Sequence, residues 1–108
     1  MLYKITCYIP VANVNDVKIA LFDAGAGRIG NYDRCSWETL GRGQFRPLPG
    51  SAPVIGNIDE ITYVDEIKLE MVCDGEFIQK AITALLNAHP YETPAYEVYL
   101  IMDRSNLQ

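Results

Sequence analysis

Ile61-Thr62-Tyr63-Val64-Asp65-Glu66-Ile67-Lys68-Leu69-Glu70-Met71-Val72-Cys73 is the longest strand signal in the chain, and its reading decides the fold. Ile61, Tyr63, Ile67, Leu69, Met71 and Cys73 fall on one face; Glu66, Lys68 and Glu70 fall on the other. Side chains alternate across a strand, so the apolar set is expected to be buried. Charges of alternating sign suit the opposite face for solvent or for a subunit contact. Asp74-Gly75 is read as the start of a helix in which Phe77, Ala81, Ile82, Leu85 and Leu86 recur at helical spacing. A helix this short is marginal alone, so it must pack on the sheet. Tyr96, Val98, Leu100 and Met102 then alternate as a last strand.

The N-terminal half repeats this grammar. Tyr3, Ile5, Cys7 and Ile9 alternate on one strand face, and Pro10 ends the run. Asn13 is a candidate N-cap, with Asp16 three positions on in the manner of a capping box. Val14, Val17, Leu21 and Ala24 recur at helical spacing, and Gly25 is a natural stop. A short strand is expected over Asn31–Thr39, around Cys35 and Trp37. The Gly- and Pro-rich stretch Gly41–Gly56 then reads as a long ordered excursion, because Phe45, Leu48 and Val54 need cover. The order is βαββαβ, an α+β ferredoxin-like sandwich with a long β2–β3 excursion, in one domain over residues 1–108. Tracing the chain up and down places the loop after the second helix, the excursion and the Pro10–Asn15 connection at one end. The Gly25–Gly30 turn lies at the other.

Composition narrows the function classes. The net charge is −5 and no Lys/Arg-rich run exists, so nucleic acid is not expected as a main partner, although Arg28, Arg34, Arg42 and Arg46 could form a local basic patch. No apolar run approaches the roughly 20 residues needed to span a bilayer, so no membrane role is expected. Three dispersed cysteines, Cys7, Cys35 and Cys73, form no CxxC pair, and no signal-peptide pattern opens the chain; together these predict a cytoplasmic protein.

His89-Pro90-Tyr91-Glu92-Thr93-Pro94-Ala95-Tyr96 holds the only histidine of the chain beside a carboxylate. Each proline fixes its φ and pushes its predecessor toward extended backbone, so His89, Tyr91 and Glu92 are held in place. His89 and Glu92 are candidate ligands for a divalent ion, with zinc or copper the ions that imidazole suits. One histidine per chain falls short of a four-ligand site unless subunits share it. The structural alternative has His89 donating to a backbone carbonyl and Glu92 capping nearby amides. Gly25-Ala26-Gly27-Arg28-Ile29-Gly30 matches GxGxxG as a string. It follows a helix and precedes a strand, so the helix dipole presents its negative end, and Gly25, Gly27 and Gly30 read as a structural turn. Cys7 and Cys73 are expected as core hydrophobes. Asp65, Glu66 and Glu70 read as a solvated strand face. A nucleophilic Cys35 would need a base, and His89 is expected at the opposite end.

Several stretches together resemble one family: Gly25 to Tyr32, Cys35-Ser36-Trp37, Gly41 to Pro47, Gly50 to Pro53 and His89 to Tyr96. They resemble the inserted central domain of YqfO-type proteins of the NGG-interacting-factor-three-like family. The His-Pro-Tyr-Glu element is also similar to one in CutA, the divalent-cation-tolerance protein. The resemblance implies a CutA/PII-like fold that assembles as a homotrimer. Full-length members carry a dinuclear metal site in the two halves flanking the insertion, and their hydrolase or cyclohydrolase activity is attached to those halves. This chain matches neither half. The resemblance therefore implies a free-standing, non-enzymatic accessory or regulatory domain. The resemblance carries a ligand role to His89 and Glu92 alone; because the excursion and the His89 loop share one end, a small molecule or metal ion is expected in a cleft between them at subunit boundaries, with His89, Tyr91, Glu92, Arg42 and Phe45 as the candidate binding residues. The alternatives are a ligand-free interaction module and a small hydrolase-type enzyme using Cys35.

Overall fold

Alternation becomes pairing in a four-stranded antiparallel sheet. In the computed structural model, which describes residues 1–102 and 104–107, the strands are β1 (Leu2–Pro10), β2 (Trp37–Phe45), β3 (Thr62–Asp74) and β4 (Tyr96–Ile101), in the order β2-β3-β1-β4. Helices α1 (Val14–Asp23) and α2 (Ile78–Ala88) follow β1 and β3. This is the expected βαββαβ arrangement. The register Ile5↔Met71, Cys7↔Leu69 and Ile9↔Ile67 stacks the apolar faces of β1 and β3. Val14, Val17 and Leu21 of α1 and Ala81 and Leu85 of α2 close over them, so both helices lie on one face of the sheet. Cys7 and Cys73 are buried in this core, and burial pushes the Cys7 thiol up to about 12 and raises that of Cys73.

Four expectations need correction. First, β2 does not span Asn31–Thr39: residues 33–36 are irregular, Arg34 has φ 56°, and Cys35 N–H donates to Gly27 O at 2.8 Å. Those amides are spent on the glycine turn, so pairing starts only at Trp37↔Glu70 and runs to Phe45↔Thr62. The excursion therefore begins after Phe45, and Gly41 and Gly43 belong to the strand. Second, α2 starts at Ile78, because Asp74 completes β3 and Gly75 N–H is taken by Met1 O at 2.7 Å. Third, Leu86, Leu100 and Met102 are exposed, and so are Ile61 and Tyr63, which lie around the start of β3 beyond its pairing with β1. Fourth, Asn13 occupies the cap position without a side-chain capping bond, since a 3-10 turn over Val11–Asn13 leads into α1.

The glycine turn is a tight seam between elements. Gly25 and Gly27 have φ of 108° and 80°, and a Cβ at either would sit 2.7 Å from a ring atom, of Phe77 and Phe22 respectively. Arg28 lies over Phe77 and Arg34 over Phe22 at this end, whereas Arg42 stacks on Tyr63 at the far end of β2, so the four arginines form no single basic patch.

Candidate functional site

The His89 loop is built by the end of α2. His89 N–H still bonds Leu85 O (2.9 Å), but Pro90 forces His89 to φ −69°, ψ 136°, and the helix stops. The imidazole is only 6% exposed. Its Nδ1 accepts from Tyr91 N–H at 3.1 Å, which leaves Nε2–H to donate to Tyr8 O at 2.7 Å. Both ring nitrogens are thus used to fix the helix exit against β1.

Tyr91 is clamped in turn. Its ring lies 4.9 Å from that of His89 and 6.0 Å from that of Phe45, and its hydroxyl donates to Glu66 Oε2 at 2.8 Å. Burial, reinforced by the bond to Glu66, raises the Tyr91 phenol well above the ordinary tyrosine range. Glu66 can reach this position because it lies over Gly43, where a Cβ would collide with its carboxylate. Glu92 Oε2 accepts from Ala52 N–H at 3.0 Å and ties the excursion to the loop. The excursion, residues 46–61, closes on itself: Asp59 N–H bonds Pro47 O (2.7 Å), and the Ser51 hydroxyl bonds Leu48 O (2.7 Å). It is an Ω-loop, compact with adjacent ends.

Between these parts lies a cleft of about 640 Å³. Four of the five sequence-predicted residues line it: Arg42, Phe45, Tyr91 and Glu92. His89 does not; it stands behind Tyr91 as its support. Tyr8, Gly43 and Glu66 line the cleft too and were missed. Glu66 looked like any charge on an open strand face. The available signal was the Gly41/Gly43 spacing, since glycines two apart on one strand face mark a close approach.

The donor set does not make a metal site within one chain. A zinc or copper ion at His89 would have to displace the Tyr91 amide or the Tyr8 carbonyl, and no group of three or more His, Cys, Asp or Glu side chains converges among the described residues. Cys35 sits at the glycine-turn end, with Sγ 3.6 Å from Asp33 O, and His89 is at the other end, as expected. Among the described residues, no helix is long and apolar enough to cross a membrane.

The bare sheet face, the paired helices and the strand-end cleft define a ferredoxin-like unit of the CutA/PII type. Its solved likenesses include CutA of Archaeoglobus fulgidus (TM-score 0.68, 14% identity, covering 95% of this chain and 86% of that one). They also include the Bacillus subtilis GlnK–ATP complex (TM-score 0.61, 14% identity, 94% and 83%). At those identities the likeness shows the fold alone. Closer in sequence is a Bacillus cereus protein related to NIF3 (TM-score 0.82, 35% identity, 94% of this chain and 26% of that one). The chain is also 42% identical over 95 residues to the Staphylococcus epidermidis protein named GTP cyclohydrolase 1 type 2 homolog, covering 88% of this chain and 26% of that protein. For the Mycobacterium leprae protein of the same name the identity is 41% over 99 residues, covering 92% and 26%. No family model matches. The chain is thus a relative of the NIF3-related proteins, matching the segment that has the CutA/PII-like fold, and spans about a quarter of the length of the curated relatives it matches.

Proposed function

We propose that the chain is a non-enzymatic accessory or regulatory module of the cytoplasm that works as a homotrimer and binds a small ligand in the Phe45–Tyr91 cleft where subunits meet. One observation carries this reading: Arg42 and Phe45 from β2 converge with Tyr91 and Glu92 from a loop distant in sequence on one largely preformed cavity. The fold likeness to CutA and to a GlnK–ATP complex supports it by analogy. A small molecule fits better than a metal ion, because Phe45 and Tyr91 supply aromatic walls to the cleft while both imidazole nitrogens are engaged. The cyclohydrolase named in the relatives belongs to chains of which this one spans a quarter. A hydrolase built on Cys35 lacks support, since its thiol and His89 lie at opposite ends of one chain.

The test is native mass spectrometry on protein purified without chelator, followed by calorimetric titration with ATP and with zinc ion as separate probes. A trimer with added mass or a saturable isotherm, lost in Phe45→Ala and Tyr91→Ala, is the expected result. A bare trimer silent to both probes would transfer the reading to a ligand-free interaction module, which the exposed Leu48, Val54 and Ile61 around the Ω-loop favour. A monomer would remove the assembly.

A further inference from the structure

The hydrogen bonds around His89, the only histidine of the chain, fit one form of its ring. A backbone N–H can only donate, and a carbonyl can only accept. Tyr91 N–H lies 3.1 Å from Nδ1, so that nitrogen carries no proton; Nε2 lies 2.7 Å from Tyr8 O, so it carries the one proton of the neutral ring. A charged imidazole has an N–H on both nitrogens. Charging therefore sets two donors, Nδ1–H and Tyr91 N–H, against each other at a residue only 6% exposed. No group facing the ring offers the charged form a new partner. β1 presents the Tyr8 carbonyl, already in use, and the Tyr8 hydroxyl is held by Glu97 of β4. The Leu85 carbonyl of α2 is filled by the His89 N–H. The loop presents the Tyr91 ring, whose hydroxyl is on Glu66 of β3, and Glu92 is spent on Ala52 N–H. Among the described residues no ion pair includes His89, and the cations of the cleft lining are Arg42 and Arg46.

The bond at risk anchors the segment that builds the cleft. Tyr91 lines the cavity, lies against Phe45 and holds Glu66 through its hydroxyl. The next residue, Glu92, ties down the Ω-loop. Imidazole is the side chain that ordinarily changes charge between about pH 5 and 8. We propose that His89 is a proton-sensitive latch on the cleft. The neutral ring holds Tyr91 in the wall; proton uptake at Nδ1 breaks the bond from Tyr91 N–H and releases the Tyr91–Glu92 segment, and with it the wall and the tie to the Ω-loop. The proton comes from solvent, and only hydrogen bonds change. The sign follows: the cleft is formed while the ring is neutral and opens as pH falls through the His89 titration. Gating of a ligand rests on the reading of the cleft as a binding site; the opening of the loop does not.

The test is nuclear magnetic resonance on the whole chain from about pH 8 down to about pH 5. A chain with one histidine gives one set of imidazole signals, so the ring titration reads directly. The protection factor of the Tyr91 amide against hydrogen exchange should fall at least about tenfold over the same midpoint. The amides of Cys7 and Leu69, in the paired central strands, should keep theirs. His89→Asn supplies a carbonyl oxygen that accepts in place of Nδ1 and does not titrate; it should hold the Tyr91 protection flat with pH. If that variant fails to fold, the wild-type titration decides alone. A ring that charges while Tyr91 stays protected would overturn the latch, as would a ring that stays neutral down to the lowest pH. Loss of protection in the central strands together with Tyr91 would overturn it too, because the event would then be general unfolding. No ligand enters this experiment, so a failed ligand reading shows in the calorimetric titrations and not here.

Discussion

At the scale of single residues the cleft depends on a short relay: Gly43 makes room for Glu66, Glu66 holds Tyr91, and Tyr91 covers His89. Glu66→Gln should lower the Tyr91 phenol pKa toward the ordinary tyrosine range without reaching it, because burial is the larger cause. Ultraviolet titration reads this directly. Gly43→Ala should reproduce that shift with the carboxylate intact, since the added Cβ evicts Glu66. An unchanged Tyr91 titration in Gly43→Ala would break the relay. Tyr8 gives a pH dependence with a definite sign. The Glu97 bond chiefly holds its phenol at about 12 in the fold, above the roughly 10 of an unfolded chain. Its stabilisation is therefore full below about pH 10 and lost as pH rises toward 12. Tyr8→Phe should flatten that alkaline loss in urea unfolding. Of this relay the sequence offered His89, Tyr91 and the Gly41/Gly43 spacing, but not the link through Glu66. Glu66 had the same alternating neighbours as Glu70, and only the register decides which of them meets a tyrosine from a distant loop.

At the scale of elements, the periodic segments and the Gly25–Gly30 turn were readable, and the glycine-containing strand β2 was not. β1, α1 and β3 fall within a residue or so of their expected bounds because alternation and helical spacing report burial directly. β2 was misplaced because Gly41 and Gly43 give no alternation to read, although their backbone pairs as well as any other. Leu86 was misjudged because α2 covers only part of the sheet. The core reading has a plain consequence: Leu85, fully buried between α2 and the sheet, should lose about 2–5 kcal/mol on Leu85→Ala, measured by denaturant unfolding. The Ω-loop predicts the opposite pattern. Its one side-chain tie to the His89 loop is Glu92 to Ala52 N–H, which is exposed. Glu92→Ala should raise proteolytic nicking within residues 46–61 several-fold while moving global stability by less than about 1 kcal/mol. Equal losses in both would mean that the loop is part of the cooperative core.

At the scale of the whole molecule, both helices lie on one face of the sheet, and among the described residues β2 and β4 stand as its edge strands. β2 is nine residues long and unpaired on its outer side, which is the kind of edge that invites uncontrolled association. Pairing of that edge with a second copy in a closed assembly would remove that hazard.

The pairing Leu2↔Ile101 has a consequence of a different kind. The first and last strands are immediate neighbours running in opposite directions, with Cα atoms about 5 Å apart at such a pair. A chain that enters this unit leaves it almost where it came in, at the end away from the cleft. Splicing such a unit into a surface loop of a host adds little closure entropy and does not push the host's flanking parts apart. The relatives, of whose length the matched segment is 26%, can carry such a unit as a cassette, and the cleft then faces outward from the point of attachment.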